Sequence, residues 1–285
     1  MLKIDNNLVN KNCPLCNSTK IYKAGDVDYS VPTYFSSQEI LVGLKPELWK
    51  CSNCYSGFIQ KSIPEQLATS LYMNGSSNER WSNSKFEDSK CQEIVDVLSK
   101  LFYKDAKVLD VGCNTGELLD FAKAKGCKTF GIEYSLDSIA LLKQKEHTVL
   151  SSLSENDNYY DVIAAFDLVE HLYNLPEFIK NCYSQLAKNG YLIILTGNIQ
   201  SVSSVLTNSN WWYVRFPEHI VFPSRRYFKL YSKFEIQSWI YTYASRNYKH
   251  SLSSTLKQII RNLLAKKYDG LPSIGSDHVL IVLRK

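Results

Sequence analysis

The sequence predicts an α/β chain: a doubly wound sheet that ends in an antiparallel hairpin, with a small cysteine-rich module in front of it. Three observations predict this. From about residue 106 onward, short apolar runs alternate with helix-like stretches. A glycine-bounded turn, Gly112 to Gly116, joins the first of these runs to the first helix. Two Cys-x-x-Cys pairs stand in the first fifth of the chain.

Cys13-Pro-Leu-Cys16 and Cys51-Ser-Asn-Cys54 each set two thiolates one tight turn apart, the geometry of a zinc knuckle, and two knuckles complete a tetrahedral site. With no further ligand position in evidence, the site is closed and the expected zinc is structural. The residues between the pairs are expected to fold back as a small β-sheet carrying Tyr34, Phe35 and Leu48, which makes residues 1–70 a zinc-ribbon-like module. Of the eight cysteines, Cys91, Cys113, Cys127 and Cys182 stand singly and read as small buried side chains. Residues 71–104 follow as a linker, Tyr72 to Asn83, and a first helix over about Lys85 to Phe102. Its apolar face is Ile94, Val95, Leu98, Leu101 and Phe102.

Residues 105–285 carry the sheet. KVLDVG, TFGIEY, YDVIAAFD and YLIILTG read as strands, separated by GELLDFAKAKG, SLDSIALLKQK and NLPEFIKNCYSQLAKNG as helices. This alternation implies parallel strands covered on both faces. KFEIQSWIYTY and DHVLIVLRK are two late strands that finish the sheet as a hairpin. Between them SLSSTLKQIIRNLLAKK reads as an amphipathic helix with Lys257, Arg261, Lys266 and Lys267 on its basic face. That face is read first as solvated, with a membrane surface or an anionic ligand as the alternatives.

The loop after the first strand discriminates between ligands. Gly112 permits a sharp turn and close approach of a ligand to the backbone. The dinucleotide pattern G-x-G-x-x-G fails at Asn114 and Glu117. Asp110, at the strand end, repels a pyrophosphate and attracts an ammonium. Glu133 closes the next strand, where a carboxylate accepts the hydrogens of ribose hydroxyls.

VLDVGCNTGELL followed by GIEYS resembles the first motif and the following acidic motif of class I S-adenosylmethionine-dependent methyltransferases. YDVIAAFDLVEHLYNLPEFI and NGYLIILTGN continue the resemblance, which covers about residues 105–243. It implies a Rossmann-like, seven-stranded sheet. It also implies that Asp110, Gly112, Cys113, Asn114, Gly116, Glu133, Tyr134, Asp167 and Leu168 contact S-adenosylmethionine. The cysteine knuckles and the phrase KCSNCYSGFIQ resemble a subgroup in which a zinc module precedes the methyltransferase, associated with sugar and surface-polysaccharide modification. Two departures stand out: Asn114 replaces the commoner glycine, and Ser151-Ser152-Leu153 lacks the usual acid of the adenine-contacting segment.

On the acceptor side, His171 follows the fourth strand and Glu218-His219 lies in a loose aromatic insertion, WWYVRFPEHIVFPS. Histidine titrates near neutrality and accepts a hydroxyl proton at modest cost. The competing reading for His171 is a helix-start residue satisfied by local hydrogen bonds. Trp211, Trp212 and Tyr213 read either as a stacking wall for a sugar or as core aromatics. The Glu-His pair is similar to that of sugar C-methyltransferases with cysteine-rich N-terminal modules.

The expected function is therefore methylation of a small glycosyl or nucleotide-sugar acceptor, on oxygen with a histidine base. The alternative is methylation on carbon using Glu218 and His219. Two readings of other classes stay open: an RNA-binding modification protein and a non-catalytic, zinc-dependent interaction protein. The net charge of +5, from 33 basic and 28 acidic side chains, lacks the dense basic blocks of a dedicated nucleic-acid binder. MLKIDNNLVNKN has no signal-like apolar stretch and no run reaches bilayer-spanning length. A cytoplasmic protein with a small-molecule partner is expected.

Overall fold

The computed structural model of the chain describes residues 3–4, 9–75, 85–153, 159–243 and 277–285. Its N-terminal part contains strands β1 (Lys3–Ile4), β2 (Ile21–Asp26), β3 (Thr33–Phe35), β4 (Gln38–Val42), β5 (Glu47–Cys51) and β6 (Gly57–Gln60), then helix α1 (Glu65–Met73). The remainder runs α2 (Phe86–Ser89), α3 (Gln92–Leu101), β7 (Lys107–Val111), α4 (Glu117–Ala124), β8 (Lys128–Ile132), α5 (Leu136–Gln144), β9 (Thr148–Leu150) and β10 (Tyr160–Phe166). It continues with α6 (Leu175–Gln185), β11 (Leu186–Gly197), α7 (Val202–Thr207), β12 (Val221–Phe222), α8 (Arg225–Tyr231), β13 (Glu235–Thr242) and β14 (His278–Arg284).

A seven-stranded sheet, in the order β13-β14-β11-β10-β7-β8-β9, organises the molecule. Five strands from β9 to β11 are parallel, while β14 runs antiparallel to both β11 and β13. The terminal hairpin expected from the sequence is thus present, with its second strand inserted next to β11. Side-chain alternation shows why both faces are covered. Leu109, Ile163, Leu192, Ile194, Ile281 and Leu283 pack on one face with α6 and α8. Val108, Ala164, Ile193, Leu195, Leu280 and Val282 pack on the other with α2, α3 and α4.

The chain winds outward in opposite directions from β7 and β10, so the crevice between their carboxyl ends is the topological switch point, where open α/β sheets bind ligands. The basic helix expected around Lys257 lies outside the described residues.

Two features differ from the sequence reading. The helix expected over Lys85 to Phe102 is broken, because Lys90 and Cys91 adopt extended backbone between α2 and α3. The break lets Lys90 reach Asp167 at the end of β10, a tertiary ion pair at 3.4 Å that local periodicity does not report. In addition, β12, far along the chain, adds a fourth strand to the sheet β12-β6-β5-β2. The N-terminal residues also share core clusters with the sheet and the late insertion: Leu15 and Phe58 with Ile220 and Tyr227, and Leu48 and Ile59 with Trp211 and Phe222.

Candidate active site

The loop Gly112–Gly116 sits at the carboxyl end of β7. Gly112 has φ +74° and Gly116 φ +83°, values that suit glycine, and Asn114 takes the left-handed conformation at φ +46°. A Cβ on Gly112 lies 3.0 Å from Leu168 Cδ1, so the glycine makes room for the residue after β10. Cys113 is buried against Gly131, Leu119 and Leu142 and offers the loop only its backbone. Asn114 N–H donates to Glu133 Oε2 at 2.9 Å, and Tyr134 and Ser135 N–H donate to Oε1 at 2.7 and 2.9 Å. Three main-chain donors thereby fix the Glu133 carboxylate beside the loop, while the Tyr134 side chain is exposed.

Asp110 is buried beneath that loop. Burial pushes its carboxyl up to about 8; the Glu133 charge adds to the rise and the Lys90 ammonium opposes it. Asp167 turns the chain out of β10 at φ +49° and pairs with Lys90. The sequence-predicted cofactor residues are thus brought to one crevice.

A second constellation lies beyond the end of β10. Glu170 is fully buried, and its two oxygens accept from the hydroxyls of Tyr213 and, at 2.9 Å, Thr196. Burial raises its pKa, and the adjacent His171 charge holds it down. The His171 and His219 rings meet edge to face with centroids 4.8 Å apart. His219 Nδ1 is 2.7 Å from the Tyr213 carbonyl, and His171 Nδ1 is 3.0 Å from the Glu218 carbonyl. A carbonyl only accepts, so each Nδ1 carries a proton. Burial, followed by the charges of His171 and Arg215, drives the His219 pKa well below its ordinary value.

The N-terminal part reaches into the same place. The Tyr72 hydroxyl lies 3.0 Å from His171 Nδ1, and Ser36 N–H donates to Glu218 Oε1 at 2.8 Å. Burial and then the Glu218 charge raise the Tyr72 pKa, so its hydroxyl stays protonated. Trp211 and Tyr213 are core residues, 1% and 3% exposed, and offer no stacking face; Trp211 and Trp212 both donate their indole N–H to Asp277 Oδ2.

Glu170, Tyr72 and Lys90 were not singled out by sequence. A signal existed for Glu170, a charge inside the apolar phrase DLVEHLY; Tyr72 stood in an apparent linker and Lys90 in an apparent helix.

The four knuckle cysteines come together, all Sγ atoms within 4.8 Å of one another. Cys13–Cys54 and Cys16–Cys51 are each 3.7 Å apart, and none is disulfide-bonded. Four thiolates around one Zn2+ at tetrahedral Zn–S distances stand about 3.8 Å apart, so the set fits that ion. Matching turns build the two knuckles: Asn17 N–H donates to Cys13 O and Tyr55 N–H to Cys51 O, with Asn17 and Tyr55 both left-handed. A hydrogen bond from Cys13 pulls the Cys54 thiol down to about 5, and the same contact raises Cys13.

The model of the family described as "Methyltransferase domain" matches residues 84–233. The mitochondrial ubiquinone biosynthesis O-methyltransferase of Rattus norvegicus is 33% identical over 114 residues, 35% of this chain and 33% of that protein. The ubiquinone biosynthesis O-methyltransferase of Bradyrhizobium diazoefficiens is 30% identical over 101 residues, 32% of this chain and 40% of that protein. The chain thus spans two fifths or less of the length of these curated relatives. A solved S-adenosylmethionine-dependent methyltransferase from Archaeoglobus fulgidus aligns with a TM-score of 0.50 at 21% identity, covering 78% of this chain and 100% of that one. The chain belongs to the methyltransferase-domain family and carries the fold of S-adenosylmethionine-dependent methyltransferases.

Proposed function

We propose that the protein transfers a methyl group from S-adenosylmethionine to a hydroxyl oxygen of a small glycosyl or nucleotide-sugar acceptor, with His219 taking the hydroxyl proton. The observation that carries this reading is the pair of imidazoles at the carboxyl edge of the sheet, each tied through Nδ1–H to a main-chain carbonyl. Bound in the crevice, S-adenosylmethionine supplies an electrophilic methyl on a sulfonium leaving group that needs no protonation. The crevice fits it: the glycine loop accommodates close backbone approach, and the repulsion between buried Asp110 and Glu133 is relieved by a cationic ligand group. Asp110 receives the ammonium, Glu133 and Tyr134 lie on the ribose side, and Asp167 and Leu168 close the crevice from β10. His219 stays neutral at neutral pH and so keeps an unprotonated Nε2 to take the proton. Glu170, with Tyr213 and Thr196, holds the segment from which His171 projects. Cys13, Cys16, Cys51 and Cys54 would hold Zn2+ in a closed, structural site, steadying the N-terminal residues that bring Ser36 and Tyr72 to the acceptor side.

The acceptor class rests on the resemblance of the cysteine module and the Glu218-His219 loop to sugar-modifying enzymes. Incubation with methyl-labelled S-adenosylmethionine and a panel of nucleotide sugars, with bulk RNA alongside, tests it. Label on a sugar oxygen supports the reading. Label on RNA alone overturns it.

One observation favours a second reading, C-methylation beside a keto group. The protonated Tyr72 hydroxyl beside His171 is suited to donate to an enolate oxygen while His219 removes the carbon-bound proton. Deuterium exchange into a keto-sugar without cofactor separates it from O-methylation.

Asp110 gives a pH prediction. Its folded carboxyl stays protonated up to about 8, yet an ammonium is held best by the ionised form. Affinity for S-adenosylhomocysteine is expected to rise between about pH 6 and 8, at up to tenfold per pH unit. In Asp110→Asn the profile is flat over that range and affinity at pH 8 is lower by roughly tenfold to a hundredfold. Calorimetric titration across pH checks both.

A further inference from the structure

We propose that Glu170, His171 and His219 form a second site for a divalent transition metal of the zinc class, and that an ion held there blocks methyl transfer. For its effect on activity this rests on the reading of His219 as the base. Among the described residues two groups of metal-ligating side chains converge, the four knuckle cysteines and this one. Each member offers one ligand atom, a ring nitrogen or a carboxylate oxygen, and the three atoms lie within 4.8 Å of one another. Around a four-coordinate ion with bonds of about 2.0–2.2 Å, ligand atoms stand about 3.4 Å apart, so side-chain shifts of about an ångström or less close the set. Distant parts of the chain bring it together. Glu170 and His171 lie in the single 3-10 turn Val169–His171, and His219 comes from the late insertion, pinned to that turn where Ile220 N–H donates to the Glu170 carbonyl at 2.8 Å.

Each ligand is already oriented from behind, which a chance cluster does not require. A metal-bound imidazole donates its other ring N–H to a carbonyl or carboxylate, and a metal-bound carboxylate accepts hydrogen bonds of its own. His171 Nδ1 faces the Glu218 carbonyl at 3.0 Å and His219 Nδ1 the Tyr213 carbonyl at 2.7 Å, which leaves Nε2 of each ring as the ligand atom. The Glu170 carboxylate accepts from the Thr196 hydroxyl at 2.9 Å and from the Tyr213 hydroxyl. Glu170 is fully buried, and among the described residues no lysine or arginine pairs with it. A divalent ion supplies the missing positive charge. Two imidazoles and one carboxylate suit zinc, and three protein ligands leave a coordination position open, unlike the closed set of four cysteines. The ion is therefore the more readily exchanged of the two. It takes the Nε2 lone pair of His219 that otherwise accepts the hydroxyl proton, and any proton the ligands hold passes to solvent.

Titration of the zinc-loaded 285-residue chain with Co2+, followed by calorimetry and absorption, tests the site. The wild type is expected to bind one further equivalent at micromolar concentration, with a visible ligand-field band and without the thiolate-to-cobalt charge-transfer band of the cysteine site. His219→Asn is expected to weaken that second binding by about a hundredfold, and Thr196→Val, which removes a hydrogen bond to Glu170, by about tenfold. A wild type that saturates at the cysteine site alone overturns the inference whether or not any variant folds, and so does second-site binding that neither variant weakens. With methyl-labelled S-adenosylmethionine and the nucleotide-sugar panel, filling the second site with Zn2+ is expected to lower label transfer by about tenfold or more, reversed by mild chelation. Unchanged or faster transfer with the site filled overturns the blocking role. A wild type that binds the second ion yet labels no acceptor supports the metal site and removes the hydroxyl-methylation reading on which the blocking role rests.

Discussion

Replacing Cys51 with serine is expected to lower the melting temperature by roughly 10 °C or more and to abolish activity with it. The effect is large because the cluster does not serve a detached appendage. Cys51 ends β5, whose sheet takes in β12 from the late insertion, and Cys13, Leu15, Cys51, Cys54 and Phe58 share a core cluster with Ile220, Val221 and Tyr227. Loosening the knuckles releases the Ser36 N–H that holds Glu218 and the α1 residue Tyr72 that meets His171. Thermal melts with and without a chelator, beside metal analysis, check this. A metal-free preparation that melts like the zinc-loaded one contradicts the structural role.

His219→Asn is expected to lower kcat by roughly a hundredfold to ten-thousandfold while leaving S-adenosylhomocysteine affinity unchanged. Asparagine can still donate to the Tyr213 carbonyl in place of Nδ1–H, so the loop keeps its anchor; the basic nitrogen is lost. The pH dependence of stability carries the same signature. Folded His219 has a pKa below its unfolded value of about 6.5, so below that pH the unfolded chain binds the proton more readily. Its contribution is fully present above about 6.5 and is lost as the pH falls, and His219→Asn removes that part of the acid sensitivity. Equal loss of kcat and of ligand affinity in this variant contradicts a proton-accepting role.

The parallel sheet was legible because its central strands bury both faces: Val108 and Leu109, or Ile193 and Ile194, point to opposite cores, and continuous apolar runs follow. The glycine loop was legible because positive φ at Gly112 and Gly116 leaves a mark on the sequence. Contacts set by the tertiary fold left no such mark. Lys90 occupies a sequence compatible with a helix, and the contacts made at the break, Lys90 with Asp167 and Cys91 with the Tyr243 carbonyl, come from distant parts of the chain. Val221–Phe222 pairs with Gly57 and Phe58 across most of the chain, beyond the reach of local periodicity. The aromatic phrase at Trp211–Tyr213 was ambiguous because core and ligand-stacking aromatics share a composition; burial resolves it toward the core for Trp211 and Tyr213.

The most direct test of the central claim is a titration of the 285-residue chain with S-adenosylhomocysteine, with NAD as control and Glu133→Ala beside the wild type. Saturable micromolar binding by the wild type, no binding of NAD, and a loss of roughly a hundredfold in the variant are the predicted results. No binding by a folded wild type contradicts the assignment of the crevice to S-adenosylmethionine and the methyl-transfer chemistry built on it.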